Sequence, residues 1–425
     1  MANSLTKHYS KTLSNGLQVY VVPMDNSSGV ISTDIFYKVG SRDEILGKTG
    51  IAHMLEHMNF KSTKNLPEGE FDRIVKSHGG VNNASTGFDY THYFIKSSSD
   101  NLDISLELYA ELMQNLNLTD EEFQKERDVV AEERRWRTDN NPIGYLYFRL
   151  FNTHYVSHSY HWTPIGFMED ILSWNIEDIR EFHTRFYRPD NAIIIVSGDI
   201  ESETVFGRVQ NYFEAIPNNE PENTCSLVAT NIPQEPPRDS NTRVILHKEN
   251  SEVDTIAITY SIPNYRHEDQ VALSVISELL SAGQSSRLQQ KLVNTRLASQ
   301  VYGYNMELTD EGVFLFLAVA NPDIEAEELE NVILKEIEKI KSELVTQEEI
   351  EKIKINAKRD FIHTLESSSS LSDMYGGYLI RGDLDPLLNY EENLDKISAN
   401  TIRDVANRYF DNNKATTAIL RKNNE

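Results

Sequence analysis

His53, Glu56 and His57 lie within five residues, in the stretch GIAHMLEHMNFKST that runs from Gly50 to Thr63. Ile51, Met54, Leu55 and Met58 recur at helical spacing, so a helix is expected here, with Thr49 or Asp43 helping to start it. On a helix, positions four apart differ by about 40° around the axis, and the position three apart lies close by. Both imidazoles and the carboxylate therefore share one face. Two nitrogen donors beside a carboxylate suit a zinc ion with a general base next to it, the arrangement of metal-assisted hydrolysis. Two ordinary helix histidines would give the same pattern, so the reading needs a third ligand.

The segment after Thr119 offers one. Thr119 and Glu122 form a capping box that opens a helix through DEEFQKERDVVAEERRWR. Glu126 and Glu133 are two turns apart and share a face, with Val129 and Val130 between them. Carboxylates on an apolar side need a partner or a cation, because an unpaired buried charge is costly. Glu133 is thus a candidate third ligand, with a surface salt bridge as the alternative. Glu132, Arg134 and Arg135 read as the charged outer face. His154, His158 and His161 lack clean helical spacing and fall in a Tyr-, Ser- and Pro-rich stretch, so they read as loop residues.

The chain has 425 residues and a net charge of −25. Its length implies more than one domain, and 39% hydrophobic residues are enough for a full core. The acidity argues against nucleic acid or anionic membrane as the main partner. It serves solubility, and it also fits basic or unfolded cationic peptides as substrates. The single cysteine, Cys225, excludes an intrachain disulfide and reads as a bystander. The first residues show no apolar leader, and no run of 18 apolar residues occurs, so a cytoplasmic protein is expected, or a periplasmic one if a leader has been removed.

Strands are expected at 16–24 and 30–39, two more within 81–97, and another at 191–200. Helices are expected at 67–78, 101–115, from 119, after Pro142, at 173–187 and at 202–213. Residues 217–241 are polar, contain five prolines and read as a linker. The second half then repeats the first. HTRFYRPDNAIIIVS (183–197) resembles ANRYFDNNKATTAIL (406–420), and TDEEFQKE from Thr119 resembles TQEEIEKI from Thr346. Strands at 242–248 and 254–263 and a helix at 270–283 match the opening of the first half. His53 and His57 correspond roughly to Val275 and Leu279, Glu133 to Asp360 and Glu126 to Ile353. The metal-ligating pattern therefore belongs to one copy. The expected architecture is α+β, two homologous α/β sandwich domains, each a mostly antiparallel sheet covered by helices. Residues 1–216 are the N-terminal, zinc-binding domain and 242–425 the homologous domain without ligands.

At this point the sequence resembles the M16 family of zinc metallopeptidases, the pitrilysin and mitochondrial-processing-peptidase group, in its short bacterial form. The residues that carry the resemblance are GIAHMLEHMNFKST, GGVNNASTGFDYTHY (79–93), ERDVVAEE (126–133) and RFYRPDNAIIIVSGD (185–199). H-x-x-E-H is the inverzincin order. The resemblance implies that His53, His57 and Glu133 ligate one zinc per chain and that Glu56 is the general base. It implies that Glu126 orients a ligand histidine from outside, and that peptide substrate adds as a strand at Asn83 and Ala84. In self-sufficient relatives an Arg and a Tyr seven apart assist the oxyanion; the matching positions here are Val293 and Gln300. Arg296 is six before Tyr302 and eight before Tyr304, so no shifted pair restores the spacing. The implied function is an endopeptidase for short or unfolded peptides. The chain would be the zinc-bearing subunit of a dimer, with a homologous partner supplying the Arg–Tyr pair, or a homodimer with another donor. A non-catalytic scaffold or chaperone-like subunit with a structural metal site, or a zinc hydrolase for small molecules, are the alternatives.

Overall fold

A computed structural model describes residue 5, residues 7–218 and residues 232–423. Most of the expected linker, with Cys225, lies outside the described residues. The chain divides into two compact units. One comprises 1–132, 162–232 and 361–384; the other comprises 133–161, 233–360 and 385–425.

The first unit holds a six-stranded sheet built from β1 (Tyr9–Thr12), β2 (Gln18–Pro23), β3 (Val30–Tyr37), β4 (Val81–Thr86), β5 (Thr91–Ser98) and β6 (Ala192–Gly198). Their order is β1-β2-β6-β3-β5-β4. All neighbours are antiparallel except β2 and β6. Strand alternation sends Ile31, Ile35 and Tyr37 of β3 into a core with the helices of this half. Those helices include α1 (Ile51–Met58), α2 (Glu70–Ser77), α3 (Leu102–Asn115) and α4 (Asp120–Arg134). Between α2 and β4, Gly79 takes a positive φ of 73° to turn the chain.

The second unit holds β7 (Thr242–His247), β8 (Thr255–Ile262), β9 (Ala298–Met306), β10 (Gly312–Ala320) and β11 (Thr416–Arg421) in the order β7-β11-β8-β10-β9. Only β7 and β11 run parallel. This is β2-β6-β3-β5-β4 over again, so the repeat seen in the sequence is a repeat of topology. The opening strand β1 is an addition to the first copy that periodicity did not announce.

The expected contiguous boundaries at 216 and 242 do not follow the packing. Each half lends the other a helix. Helix α5 (Pro142–His154) packs Leu146 and Leu150 on Leu246, Ala257, Leu315, Ala418 and Leu420 of the second sheet. The helix Ser368–Ile380 lies against β3 and β6 of the first. The physical reason is that each sheet has two faces to cover, and the helices of its own half cover one. The exchanged helix is small and polar where it meets the sheet. The Ser197 hydroxyl donates to the Ser368 carbonyl at 2.5 Å and lies 2.7 Å from the Ser372 hydroxyl. Asp34, fully buried, takes hydrogen bonds from Ser32 at 2.6 Å and from His92 at 2.7 Å.

Two smaller differences have local causes. The helix expected at 173–187 forms as Ile176–Phe186, and a short helix not expected, Met168–Ser173, precedes it. They part at Asn175, whose side chain caps the second by accepting from Glu177 and Asp178 N–H. His154 is the last residue of α5 rather than a loop residue, bonded to the Thr416 and Ser261 hydroxyls at 3.0 and 3.1 Å. Burial, with Arg238 nearby, lowers its pKa to about 3. Among the described residues no helix is long and apolar enough to cross a membrane.

The exchanged helix packs closely enough to test. A Cβ on Gly376 would stand 2.1 Å from Phe36 Cζ, whereas one on Gly377 would stand 3.2 Å from the mobile end of Tyr90. Overpacking costs about 1–3 kcal/mol, while Gly→Ala in a helix gains up to about 1 kcal/mol. Gly376→Ala should therefore lower the denaturant midpoint of the first unit, and Gly377→Ala should leave it near the wild-type value.

Candidate metal centre

Helix α1 is held at its start by a residue that local sequence signals do not single out. Gly50, at φ +84°, is the N-cap and offers no side chain. The buried carboxylate of Glu44 instead accepts from Gly50 N at 2.8 Å, Ala52 N at 2.9 Å and the Trp162 indole at 2.9 Å. Helix N-termini leave such N–H groups without intrahelical partners, and their dipole favours a negative charge. Burial pushes the Glu44 carboxyl up, and the three N–H donors oppose it. Neither expected starter caps the helix. Thr49 donates its hydroxyl to Asp170 at 2.6 Å, and Asp43 accepts from Gly40 N at 3.0 Å. Ile51, Ala52, Met54, Leu55 and Met58 are buried beneath α1, which fixes the opposite face outward.

On that face the two histidines converge. His53 Nε2 and His57 Nε2 are 3.3 Å apart. Two nitrogens each about 2.0–2.1 Å from one tetrahedral ion stand roughly 3.3–3.4 Å apart, so the pair already has the spacing of a shared metal. Glu133 brings a third possible donor: one of its carboxylate oxygens and a ring nitrogen of each histidine all lie within 4.8 Å of one another. Glu133 also accepts from Arg137 Nε at 2.8 Å. The ligand reading and the salt-bridge reading thus describe one carboxylate with two neighbours. One continuous helix, α4, carries both Glu126 and Glu133.

Glu126 takes the outer nitrogen of the second histidine, with His57 Nδ1 2.8 Å from Glu126 Oε1. In the neutral ring this places the hydrogen on Nδ1 and the lone pair on Nε2, toward the other donors. Glu126 Oε2 meets Lys61 Nζ at 2.5 Å. Burial alone would raise the Glu126 carboxyl; the His57 and Lys61 hydrogen bonds outweigh it and hold it below its ordinary value. The face of α4 is narrower than expected. Val130 is fully buried but Val129 is half exposed. Arg134, expected outside, is buried over the Phe148 ring at 4.0 Å. The long arginine stem and flat guanidinium pack on the ring while the charge reaches Asp139.

Glu56 accepts a 2.6 Å hydrogen bond from the Thr86 hydroxyl through Oε2. Thr86 ends β4, the edge strand of the first sheet, on which Asn83 and Ala84 pair with Phe94 and Tyr93 of β5. Side chains alternate along β4. Asn82 donates to Asp72 of α2 at 2.9 Å, Ala84 packs on the core and Thr86 reaches Glu56, while Val81, Asn83 and Ser85 face outward. Behind α1, Asn59 donates to the Tyr93 hydroxyl at 3.0 Å, which lies 2.9 Å from that of Tyr187. Burial above all raises both phenols, and the Glu56 charge adds to the rise.

The structure therefore brings together His53, His57, Glu133, Glu126 and Glu56 with its restraint, and places Asn83 and Ala84 on the neighbouring edge. His158 lies 3.0 Å from Asp310 and His161 2.6 Å from the Tyr155 carbonyl, and among the described residues neither belongs to the cluster of His53, His57 and Glu133. Sequence reasoning passed over Glu44, Lys61, Thr86 and Arg137. Lys61 had a signal, since it lies four residues after His57.

Residues 20–157 match the family description "Insulinase (Peptidase family M16)" and residues 173–357 match "Peptidase M16 inactive domain". A relative from Helicobacter pylori, "Zinc protease PqqE", is 51% identical over 98% of this chain and 93% of its own. A "Probable mitochondrial-processing peptidase subunit beta" from Arabidopsis thaliana is 25% identical over 96% of this chain and 77% of its own. A solved structure titled as that of a protease from Helicobacter pylori superimposes with a TM-score of 0.95 at 52% identity, covering 98% of this chain and all of the other. The second family description also falls mainly on the copy that lacks the histidine pair. With half its residues shared along nearly the whole length of a zinc protease, and with both family descriptions matched in order, the chain belongs to peptidase family M16.

Proposed function

We propose that the chain is a zinc-dependent endopeptidase that hydrolyses short or unfolded peptides. The observation that carries the reading is the convergence of one ring nitrogen each from His53 and His57 and a Glu133 carboxylate oxygen within 4.8 Å. Three protein donors leave one position of a tetrahedral ion open, which is the mark of a catalytic rather than a structural site. His53, His57 and Glu133 would hold one zinc, and Glu126 would fix the His57 ring from behind. When bound, zinc supplies a Lewis acid that polarises a carbonyl and lowers the pKa of a water toward about 7.

Glu56 does the proton work in this reading. It takes a proton from the attacking water and returns it to the leaving amine. The Thr86 hydroxyl, bonded to Oε2, restrains the carboxylate's rotation. The peptide would add alongside β4 at Asn83 and Ala84, where main-chain hydrogen bonds give affinity without demanding a sequence. A strand on that edge lies beside the residue that holds the base.

The developing oxyanion needs further donors. Val293 and Gln300 stand where the resemblance puts Arg and Tyr, and neither can supply a cation. We therefore read the chain as the zinc-bearing subunit of a dimer whose homologous partner carries that pair, with a homodimer using another donor as the competing arrangement.

Cleavage of a quenched, unstructured peptide by the zinc-loaded chain tests this reading. Glu56→Gln should keep its zinc and lose about 10²–10⁴-fold in rate; undiminished cleavage removes Glu56 from the role of base. Wild-type cleavage by the chain alone would overturn the need for a partner. Glu133→Gln should weaken zinc binding at least about 10–100-fold, the range set by loss of outer-shell partners. Unchanged metal content after dialysis would take Glu133 out of the ligand set.

A further inference from the structure

Lys61 belongs to the metal centre although it touches no ligand atom. It lies in the turn that ends α1, four residues after His57, with its backbone N–H on the Met58 carbonyl at 3.1 Å. Its ammonium reaches two carboxylates, Glu126 Oε2 at 2.5 Å and Glu68 Oε1 at 2.8 Å. Glu126 is almost fully buried, and its two oxygens are divided between two donors, Oε1 for His57 Nδ1 and Oε2 for Lys61. A carboxylate gripped at both oxygens cannot rotate about its last bond. With only one grip it can turn Oε1 away from the imidazole, and a buried carboxylate left with an empty oxygen is costly.

We propose that Lys61 is a positioning residue for zinc: by holding Oε2 of Glu126, it keeps Oε1 on His57 Nδ1 and so keeps the His57 Nε2 lone pair aimed at the metal. The inference rests on the donor set proposed above, and extends it by one shell. Its sign is informative. A cation near a divalent ion repels it, so on charge alone Lys61 should weaken zinc binding and its removal should tighten it. As a positioning residue it should do the reverse.

The test uses the full chain as wild type, Lys61→Met and Lys61→Arg. Zinc affinity is measured by competition with a chromophoric chelator. The tautomer of His57 is read in metal-free protein from ¹⁵N shifts of its ring. Lys61→Met should weaken zinc about 10–100-fold, the usual cost of losing an outer-shell partner, and should turn a single Nδ1–H tautomer into a mixture. Lys61→Arg, which keeps a cation within reach of Oε2, should restore most of the affinity and the single tautomer. Unchanged or tighter zinc binding in folded Lys61→Met overturns the inference. So does a wild-type His57 that is not protonated at Nδ1, a result that needs no variant to fold. A wild type that binds no zinc while showing the expected tautomer would refute the donor set instead.

Discussion

The hydrogen bond between His57 Nδ1 and Glu126 is the contact on which the rest of the site depends. A histidine can ligate with either nitrogen, and an unsupported ring would present both. Committing Nδ1 to a carboxylate decides which nitrogen faces inward. It also decides where α4 must lie, because Glu126 is on that helix. Seven residues on, about 10 Å along the axis by helical rise, Glu133 comes to the inner side of the same pair. One helix thus supplies an anion behind the histidines and another in front, and a shift of α4 would spoil both.

That demand is passed outward. Helix α1 has only eight residues, short for an isolated helix, so its geometry comes from its surroundings. Glu44 holds its first N–H groups, an apolar underside fixes its rotation, and Thr86 and Lys61 tie its polar face to β4 and α4. The Lys61–Glu126 contact pairs two opposite charges, and such charge-assisted bonds are stronger than their neutral equivalents.

This division explains what could be read in advance. His53, Glu56 and His57 announce themselves because helix geometry makes i, i+3 and i+4 neighbours, and Glu126 and Glu133 because seven residues make two turns. Both are local relations. The capping box at Thr119 and the strand pattern are local too, and the repeat follows from comparing the halves. Glu44 is six residues from the helix it caps, and no spacing rule connects the two. Thr86 lies 30 residues from Glu56, and the link exists only because β4 forms the edge beside α1. The exchange of helices was hidden for a similar reason. A repeat shows that two copies exist, but not which helix covers which face. Even within α4, valines at 129 and 130 suggested one inward side, whereas neighbours on a helix are about 100° apart and only Val130 faces the core.

The second copy shows what the metal face becomes without ligands. Val275 and Leu279, which stand where the histidines would, are buried in the core of the second unit. Two imidazoles there would have needed partners; two aliphatic side chains need only packing. At the same offset Glu278 corresponds to Glu56, while Asp360 corresponds to Glu133. Acids occupy both positions, and one senses the other. Burial first, then the Asp360 charge, raises the Glu278 carboxyl, against an opposing pull from Arg359. A like charge nearby disfavours the ionised form, and here Arg359, paired with Asp360 at 2.8 Å, only partly offsets it. In the first copy the same two positions flank a pair of nitrogens spaced for a divalent ion, whose charge would turn that repulsion into attraction. The histidine pair is therefore what distinguishes the first copy's donor cluster from the acids at the matching positions of the second.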